Sequence, residues 1–432
     1  MRKRRALPDA PLLGAITIPG DKSISHRALL LSALASGTSS VRHVNTGLDV
    51  LETARSLTQL GAVCTVDEDN ARVEVESPGL AGLHEAADVL WAGNSGTTLR
   101  CLLGVCAALD GLNVISGDDS LRSRPMLRVV SPLRQMGASI DGRDYGALAP
   151  LVVRGGSLTG LDFALPVASA QVKTAILLAG LAASGDTTVV EPGSSRDHTE
   201  RMLAAAGVSV AREDNAVTVS GGSFPVARDW LVPGDTSSAA FLIAGALLLE
   251  GSDLVVDKVG LNPTRTGVLE VLRRMGGRIE TTVESEDGGE PSGSLRVRAS
   301  QLHATDVGQD EVPTLIDELP VLAVVATQAE GESRFSGAEE LRVKESDRID
   351  SIVTALGALG ADVEALPDGM IVRGPTPLDG AEVDARNDHR VALALAVAGF
   401  IARGSVRILG WSAVGTSFPE FLDVLAEART PR

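Results

Sequence analysis

Aromatic side chains are scarce in this sequence: three Trp, one Tyr and seven Phe make up 3% of 432 residues. A core here cannot rest on large rings. It must be built from small aliphatic side chains, and 46 Gly permit close packing and frequent turns. Cysteine is limited to Cys64, Cys101 and Cys106. The odd count and the lack of metal-type spacing exclude a disulfide framework and a zinc site, and point to a reducing cytoplasm. The longest apolar runs, at 239–249 and 391–401, are too short to cross a bilayer. The basic start, Met1 to Arg5, is followed by no apolar core and is not read as a signal peptide. Positive charge is also lacking. The net charge is −17, which excludes the broad basic surface of a nucleic-acid binder. Only five lysines occur: Lys3, Lys22, Lys173, Lys258 and Lys344. An acidic chain that gathers its cations at a few places suits a small anionic ligand.

What is present is one pattern, written six times. Residues 20–37, GDKSISHRALLLSALASG, run from a polar start into an apolar segment closed by Gly37. Asp21, Ser23 or Ser25 can cap a helix there, and Lys22 and Arg27 sit where helix N–H groups and the dipole favour an anion. Similar starts recur at Asn94, Ser169, Asp235, Asp317 and Asn387, spaced roughly 66 to 82 residues apart, a period longer than that of common solenoids. After each apolar segment come a short β-rich run, a loop, a more polar helix and a hairpin. The unit reads β-α-β-α-β-β.

Because the first helix of each unit is apolar nearly all round, it should be buried on every side. The length exceeds one core, so two domains are expected. The fold class is α/β (α+β), with three repeats per domain around buried parallel helices. Residues 21–234 form one domain. Residues 1–20 with 235–432 form the other, with the active site in the cleft between them. The sixth unit lacks its hairpin, and the strand at 12–20 is expected to close it. The insert at 284–294, ESEDGGEPSGS, reads as a solvated loop.

Parallel helices would bring their N-termini, and the polar residues there, to one face. The starts carry Lys22, Ser23 and Arg27; Asn94, Gly96, Thr97 and Arg100; Ser169, Gln171 and Lys173; Asp235, Thr236 and Ser237; Asp317 and Glu318; and Asp388, His389 and Arg390. Loops before the second helices add Arg122, Arg124, Ser195, Arg196, Lys344, Glu345 and Arg348. Arg124, Arg348 and Arg390 suit two-point contacts to carboxylate or phosphate. Ser169, Gln171, Ser195 and Arg196 suit a second phosphate. Among these cations the carboxylates Asp317 and Glu345 stand out, and a carboxylate beside bound anions can serve as general base or acid. The alternatives are plainer. Arg100 and Lys173 can be structural ion-pair formers. Asp317 can be an N-cap, His389 can serve only to orient Arg390, and Asp235, whose unit brings no cation, can be a cap.

The motifs GDKSISHRALLLSALASG, GNSGTTLR, DSLRSRPM, SAQVKTAILLAGL, RVKESDRI, NDHRVALALAVAG and TSFPEF resemble, in this order, those of the 5-enolpyruvylshikimate-3-phosphate synthases. The resemblance covers essentially the whole chain. It implies two domains of three β-α-β-α-β-β units, an inside-out α/β barrel in each. It also implies transfer of the enolpyruvyl group of phosphoenolpyruvate to the 5-hydroxyl of shikimate 3-phosphate. That reaction passes through a tetrahedral intermediate and uses no metal and no organic cofactor. Carried over by motif, Lys22, Ser23, Arg27, Ser169, Ala170, Gln171, Asp317 and Lys344 would bind shikimate 3-phosphate, with Ser195 or Arg196 taking its phosphate. Lys22, Asn94, Gly96, Arg124, Gln171, Arg348 and Arg390 would bind phosphoenolpyruvate. Asp317 would be the base, and Glu345 the acid, assisted by Lys22. The implied partners are these two anions alone, with no nucleic acid and no membrane, in a cytoplasmic monomer.

Some positions depart from the family pattern. Ala170 stands where many members have Ser, and Cys101 where many have Pro. Glu340 stands where Asn is common, and Thr416 where many carry a Lys that contacts phosphate. The rival reading is the related UDP-N-acetylglucosamine 1-carboxyvinyltransferase. That enzyme typically carries a reactive Cys in the loop that corresponds to 116–125, and this chain has none there. A non-catalytic repeat scaffold would have no use for two carboxylates among converging cations.

Overall fold

Each of the six polar-to-apolar junctions starts a helix in the computed structural model, which describes residues 10–429 and, as backbone alone, Arg4–Arg5. The helices are Lys22–Leu34, Gly96–Ala107, Ala170–Gly180, Thr236–Leu248, Leu319–Ala326 and His389–Ile401. Five are capped by a side-chain oxygen that accepts from an early backbone N–H: Asp21, Ser95, Ser169, Asp235 and Asp388. The fifth differs. Its cap residue is Glu318, with no side-chain cap bond, and Pro320 occupies a first-turn position whose missing N–H costs nothing. Asp317 is therefore not a cap.

These helices are buried almost throughout, as their all-round apolarity requires. Each fully buried Leu, Ile or Val contributes about 1.5–3 kcal/mol. Small residues set how closely the helices approach. A Cβ at Gly104 would lie 2.3 Å from the Ala175 carbonyl oxygen, so the second and third helices meet backbone to backbone only because residue 104 has no side chain.

Walls of sheet surround the helices. Among the described residues there are five four-stranded sheets and one of three strands. Each four-stranded sheet consists of a parallel strand that leads into a repeat, the strand that follows the buried helix, and a hairpin. The second repeat shows the plan, with Leu90–Trp91 parallel to Gly111–Ser116, which pairs antiparallel with Leu148–Gly155. Two lead-in strands are exchanged. Leu13–Thr17 precedes the first helix but pairs with Asp253–Asp257 of the fourth repeat, and Trp230–Leu231 precedes the fourth helix but pairs with Val41–Arg42 of the first.

Two expectations are corrected here. The strand at 12–20 does not close the sixth unit, because its partner is the fourth. The sixth sheet instead takes Arg4–Arg5, antiparallel to Arg407–Ile408. The insert at 284–294 is not a loop. It lies in a hairpin of Arg278–Asp287 and Glu290–Arg298, turned at Gly288 and Gly289, both with positive φ. Acidic and small residues fit an exposed strand as well as a loop, and residues 280–286 are indeed exposed. Glu290 is buried.

The chain divides into two compact units. One comprises Met1–Pro19, Pro233–Ser285 and Pro291–Arg432. The other comprises Gly20–Val232 with Glu286–Glu290. Each has its own apolar core. Among the described residues no helix is long and apolar enough to cross a membrane, and no cluster of three or more His, Cys, Asp or Glu could hold a metal ion. The basic run at 1–5 lies outside the described residues, apart from the backbone of Arg4–Arg5.

Candidate active site

In the Gly20–Val232 unit, the three helix starts are joined by hydrogen bonds between their polar side chains. Buried Arg27 of the first helix donates from Nε to Thr199 Oγ1 at 2.8 Å and from Nη2 to Thr174 Oγ1, on the third helix, at 2.9 Å. Its Nη1 donates to the Ser23 carbonyl. His26 Nδ1 lies 2.7 Å from Thr53 Oγ1, and Thr53 lies 2.7 Å from Thr98 of the second helix. Arg100 Nη1 donates to Gln171 Oε1 at 2.5 Å, and Gln171 Nε2 donates to Thr97 Oγ1 at 2.9 Å. First helix touches third, and second touches both.

These bonds hold a group of cations. Lys22 Nζ is 2.9 Å from Asp49 Oδ2, both partly shielded from water. Arg124 donates to Asn94 Oδ1 at 2.6 Å, and Asn94 Nδ2 donates to Asp118 at 2.7 Å. The Asn94 amide thus passes the hold of Asp118 on to Arg124. A Cβ at Gly96 would lie 2.8 Å from Arg100 Nη1 and 3.3 Å from Arg124 Nη1. Glycine here lets two guanidinium groups approach one helix N-terminus. His26 sits among these cations fully buried. Burial, then the charges of Lys22 and Arg27, push its pKa well below the ordinary value. It stays neutral and adds no further positive charge.

Ser169 caps the third helix, and the Ala170 carbonyl accepts from Thr174 Oγ1. Ser195 Oγ donates to Glu191 Oε1 at 2.5 Å, and Arg196 beside it is half-buried. Lys173 is fully buried, 2.5 Å from Glu191 and 2.6 Å from Glu200. Of the two readings open for Lys173, the structural ion pair is the one found. Arg100 instead donates to neutral oxygens, the Gln171 amide and the Pro125 carbonyl. Asp49, Asp118, Glu191 and Glu200 were missed in the sequence, since none lies at one of the six buried-helix starts.

The other unit centres on Arg348. Its guanidinium is fully buried and meets three carboxylates: Nη1 to Asp317 Oδ1 at 2.9 Å, Nη2 to Glu345 Oε2 at 2.6 Å, and Nε to Asp388 Oδ2 at 2.8 Å. Burial alone would lower its pKa. Asp388, Glu345 and Asp317 outweigh that and raise it further. The candidate base and the candidate acid therefore share one cation, and Asp388 both caps the sixth helix and anchors Arg348. Lys344 is half-buried one residue away. Arg390 is 5% exposed, and among the described residues its guanidinium bonds to no carboxylate or carbonyl. His389 Nδ1 lies 3.4 Å from Thr416 Oγ1, at the position where many relatives were expected to carry Lys. At the fourth start Asp235 is a cap, as one reading held, but a cation is present after all. Arg265, from the loop before the next helix, bonds Ser237 and lies 3.5 Å from Asp235.

The profile of the family described as EPSP synthase (3-phosphoshikimate 1-carboxyvinyltransferase) matches residues 8–425. The 3-phosphoshikimate 1-carboxyvinyltransferase of Shouchella clausii (strain KSM-K16) is 48% identical over 417 residues, 96% of either chain. A solved structure of EPSP synthase from Acinetobacter baumannii superposes with a TM-score of 0.88 at 41% identity, covering 99% of this chain and 98% of that one. The enolpyruvyl transferase NikO from Streptomyces tendae, at 17% identity and a TM-score of 0.80 over 98% of this chain and 96% of its own, shares the fold.

Proposed function

The chain belongs to the EPSP synthase family, and from that premise we propose how its own residues carry the family's reaction. It is an enzyme that transfers the enolpyruvyl group of phosphoenolpyruvate to the 5-hydroxyl of shikimate 3-phosphate and releases phosphate. This is a step towards aromatic amino acids.

In the addition step, the Asp317 carboxylate takes the proton of the 5-hydroxyl as that oxygen bonds to the enol carbon. The methylene carbon takes a proton from Glu345, assisted by Lys22. The tetrahedral intermediate then expels phosphate, with loss of the proton gained at carbon, to restore the enol double bond. Shikimate 3-phosphate is assigned to Lys22, Ser23, Arg27, Ser169, Ala170, Gln171 and Lys344, with Ser195 or Arg196 at its phosphate. Phosphoenolpyruvate is assigned to Lys22, Asn94, Gly96, Arg124, Gln171, Arg348 and Arg390. Cations aimed at the developing charge supply most of the stabilisation.

The observation that carries this assignment is the sharing of Arg348 by Asp317 and Glu345. In the free protein Glu345 Oε2 is engaged by Arg348 Nη2 and holds no proton there. A substrate carboxylate that takes Nη2 would displace it and leave it free to carry one. The base and the acid are thus readied by the substrate that needs them. No observation favours the UDP-N-acetylglucosamine enzyme, since the chain has no Cys within 116–125.

We assign the protein to the cytoplasm as a monomer, which light scattering on the purified chain tests. The decisive assay mixes it with phosphoenolpyruvate and shikimate 3-phosphate. Phosphate release in step with enolpyruvyl ether is expected, and Lys22→Met abolishes it. Absence of phosphate above the enzyme-free control overturns the reading.

A further inference from the structure

Glu191 is nine-tenths buried, has no role in the assignments above, and touches Ser195, which is assigned to the substrate phosphate. Its two oxygens are divided. Oε2 meets Lys173 Nζ at 2.5 Å, and Oε1 accepts from Ser195 Oγ at 2.5 Å. Lys173 is held from its other side by Glu200, in the first turn of the helix His198–Ala205 that begins just after Ser195 and Arg196. Lys173 itself is in the third buried helix, four residues past Ser169. The three charges thus connect a buried helix, the end of the strand Asp186–Val190 and the loop that carries Ser195.

A hydroxyl has one proton. Ser195 commits that proton to its hydrogen bond with Glu191 and offers only lone pairs to anything else. A phosphate dianion offers only acceptors, so Ser195 Oγ in this arrangement adds nothing to phosphate binding directly. Other donors lie close by. The backbone N–H groups of Gly193, Ser194 and Ser195 donate to no oxygen among the described residues, and space beside Gly193 is open. Arg196 follows at once.

We propose that Glu191, fixed by Lys173, is a positioning residue. Through Ser195 it sets the course of residues 193–196, so that their N–H groups and Arg196 face the phosphate of the acceptor substrate. This rests on the reading above that the Ser195–Arg196 segment takes that phosphate. It assigns the Ser195 side chain to the loop's anchor and leaves phosphate contact to the backbone and Arg196.

Electrostatics and positioning predict opposite signs here. Glu191 is a negative charge near a phosphate site, so by charge alone its removal tightens shikimate 3-phosphate. By positioning, its removal weakens that binding. The experiment is a double-mutant cycle on the full chain: Glu191→Leu, Ser195→Ala and the two combined, titrated with shikimate 3-phosphate by calorimetry. Each single variant is expected to weaken binding about tenfold, the usual worth of a charged hydrogen bond. The double variant is expected to bind no more weakly than either. KM for phosphoenolpyruvate should move less than twofold. Additive losses, tighter binding in Glu191→Leu, or an equal loss for phosphoenolpyruvate would each overturn the proposal. Should Glu191→Leu not fold, Ser195→Ala alone decides, since unchanged affinity refutes the anchor. A parent enzyme that releases no phosphate would instead fail the functional reading.

Discussion

Arg348 Nη1 lies 2.9 Å from Asp317 Oδ1, while Glu345 and Asp388 occupy the other donors of the same buried guanidinium. Asp317→Ala leaves Arg348 two carboxylates, so the fold should persist while the base is lost. We expect kcat to fall about 10²–10⁴-fold, read as phosphate release, with the thermal midpoint nearly unchanged. Arg348→Ala has a different consequence. It strands carboxylates around a buried position and should cost about 3–5 kcal/mol in urea unfolding. An Arg348→Ala protein as stable as the parent would show that these carboxylates need no cation.

His26 makes stability depend on pH in a defined direction. Burial, then Lys22 and Arg27, hold its folded pKa well below the ordinary value. The unfolded chain therefore takes up a proton that the folded one refuses. As pH falls below about 6.5 the folded state loses up to ~1.4 kcal/mol per unit from this group. The loss stops once the folded pKa is passed. Urea titrations at pH 7.5 and 5.5 should show a smaller drop for His26→Gln than for the parent. Equal drops would place the acid sensitivity elsewhere.

The repeat was legible in the sequence because its signals are local. Asp21, Ser95, Ser169, Asp235 and Asp388 stand directly before apolar segments, and each became a cap. The cations beside them were legible for the same reason. Pairing over distance was not. That Leu13–Thr17 joins the fourth repeat follows from an exchange with Trp230–Leu231, and neither strand carries a mark of its partner. Asp49, Glu191 and Glu200 were hidden because acidic residues are common in this chain. Only the fold shows which of them lie against Lys22 and Lys173.

Gly96 controls two guanidinium groups at once. A methyl group there would stand 2.8 Å from Arg100 Nη1 and 3.3 Å from Arg124 Nη1, so Arg100 must give up part of its hold on Gln171. Gly96→Ala should raise KM for phosphoenolpyruvate by about fivefold to tenfold, the worth of one such bond. Glyphosate, which the family resemblance implies as an inhibitor at the phosphoenolpyruvate site, should inhibit the parent competitively with phosphoenolpyruvate, and less so the variant. No inhibition of the parent at millimolar glyphosate would remove this prediction.

Thiol reagents should leave the enzyme active. Burial pushes the Cys64 and Cys101 thiols up to about 11 and Cys106 up to about 12. At pH 7 their thiolate fraction is on the order of 10⁻⁴ or less. Iodoacetamide treatment long enough to alkylate glutathione should change kcat by less than about twofold. Stoichiometric inactivation would revive a cysteine-dependent mechanism like that of the UDP-N-acetylglucosamine 1-carboxyvinyltransferases.

Arg390 brings function and stability into opposition. Its guanidinium is nearly buried, and no carboxylate or carbonyl among the described residues bonds to it. A buried cation without such a partner costs free energy that the free protein does not recover. A bound anion would recover it, which is why the group suits phosphoenolpyruvate. Arg390→Leu should therefore stabilise the free chain, by about 1 kcal/mol, and raise KM for phosphoenolpyruvate at least about tenfold, the cost of a lost charge-assisted contact. KM for shikimate 3-phosphate should hardly move. Opposite signs in the two measurements are the signature. A variant that is both less stable and slower would mean that Arg390 serves the fold, and its assignment to the donor substrate would fall.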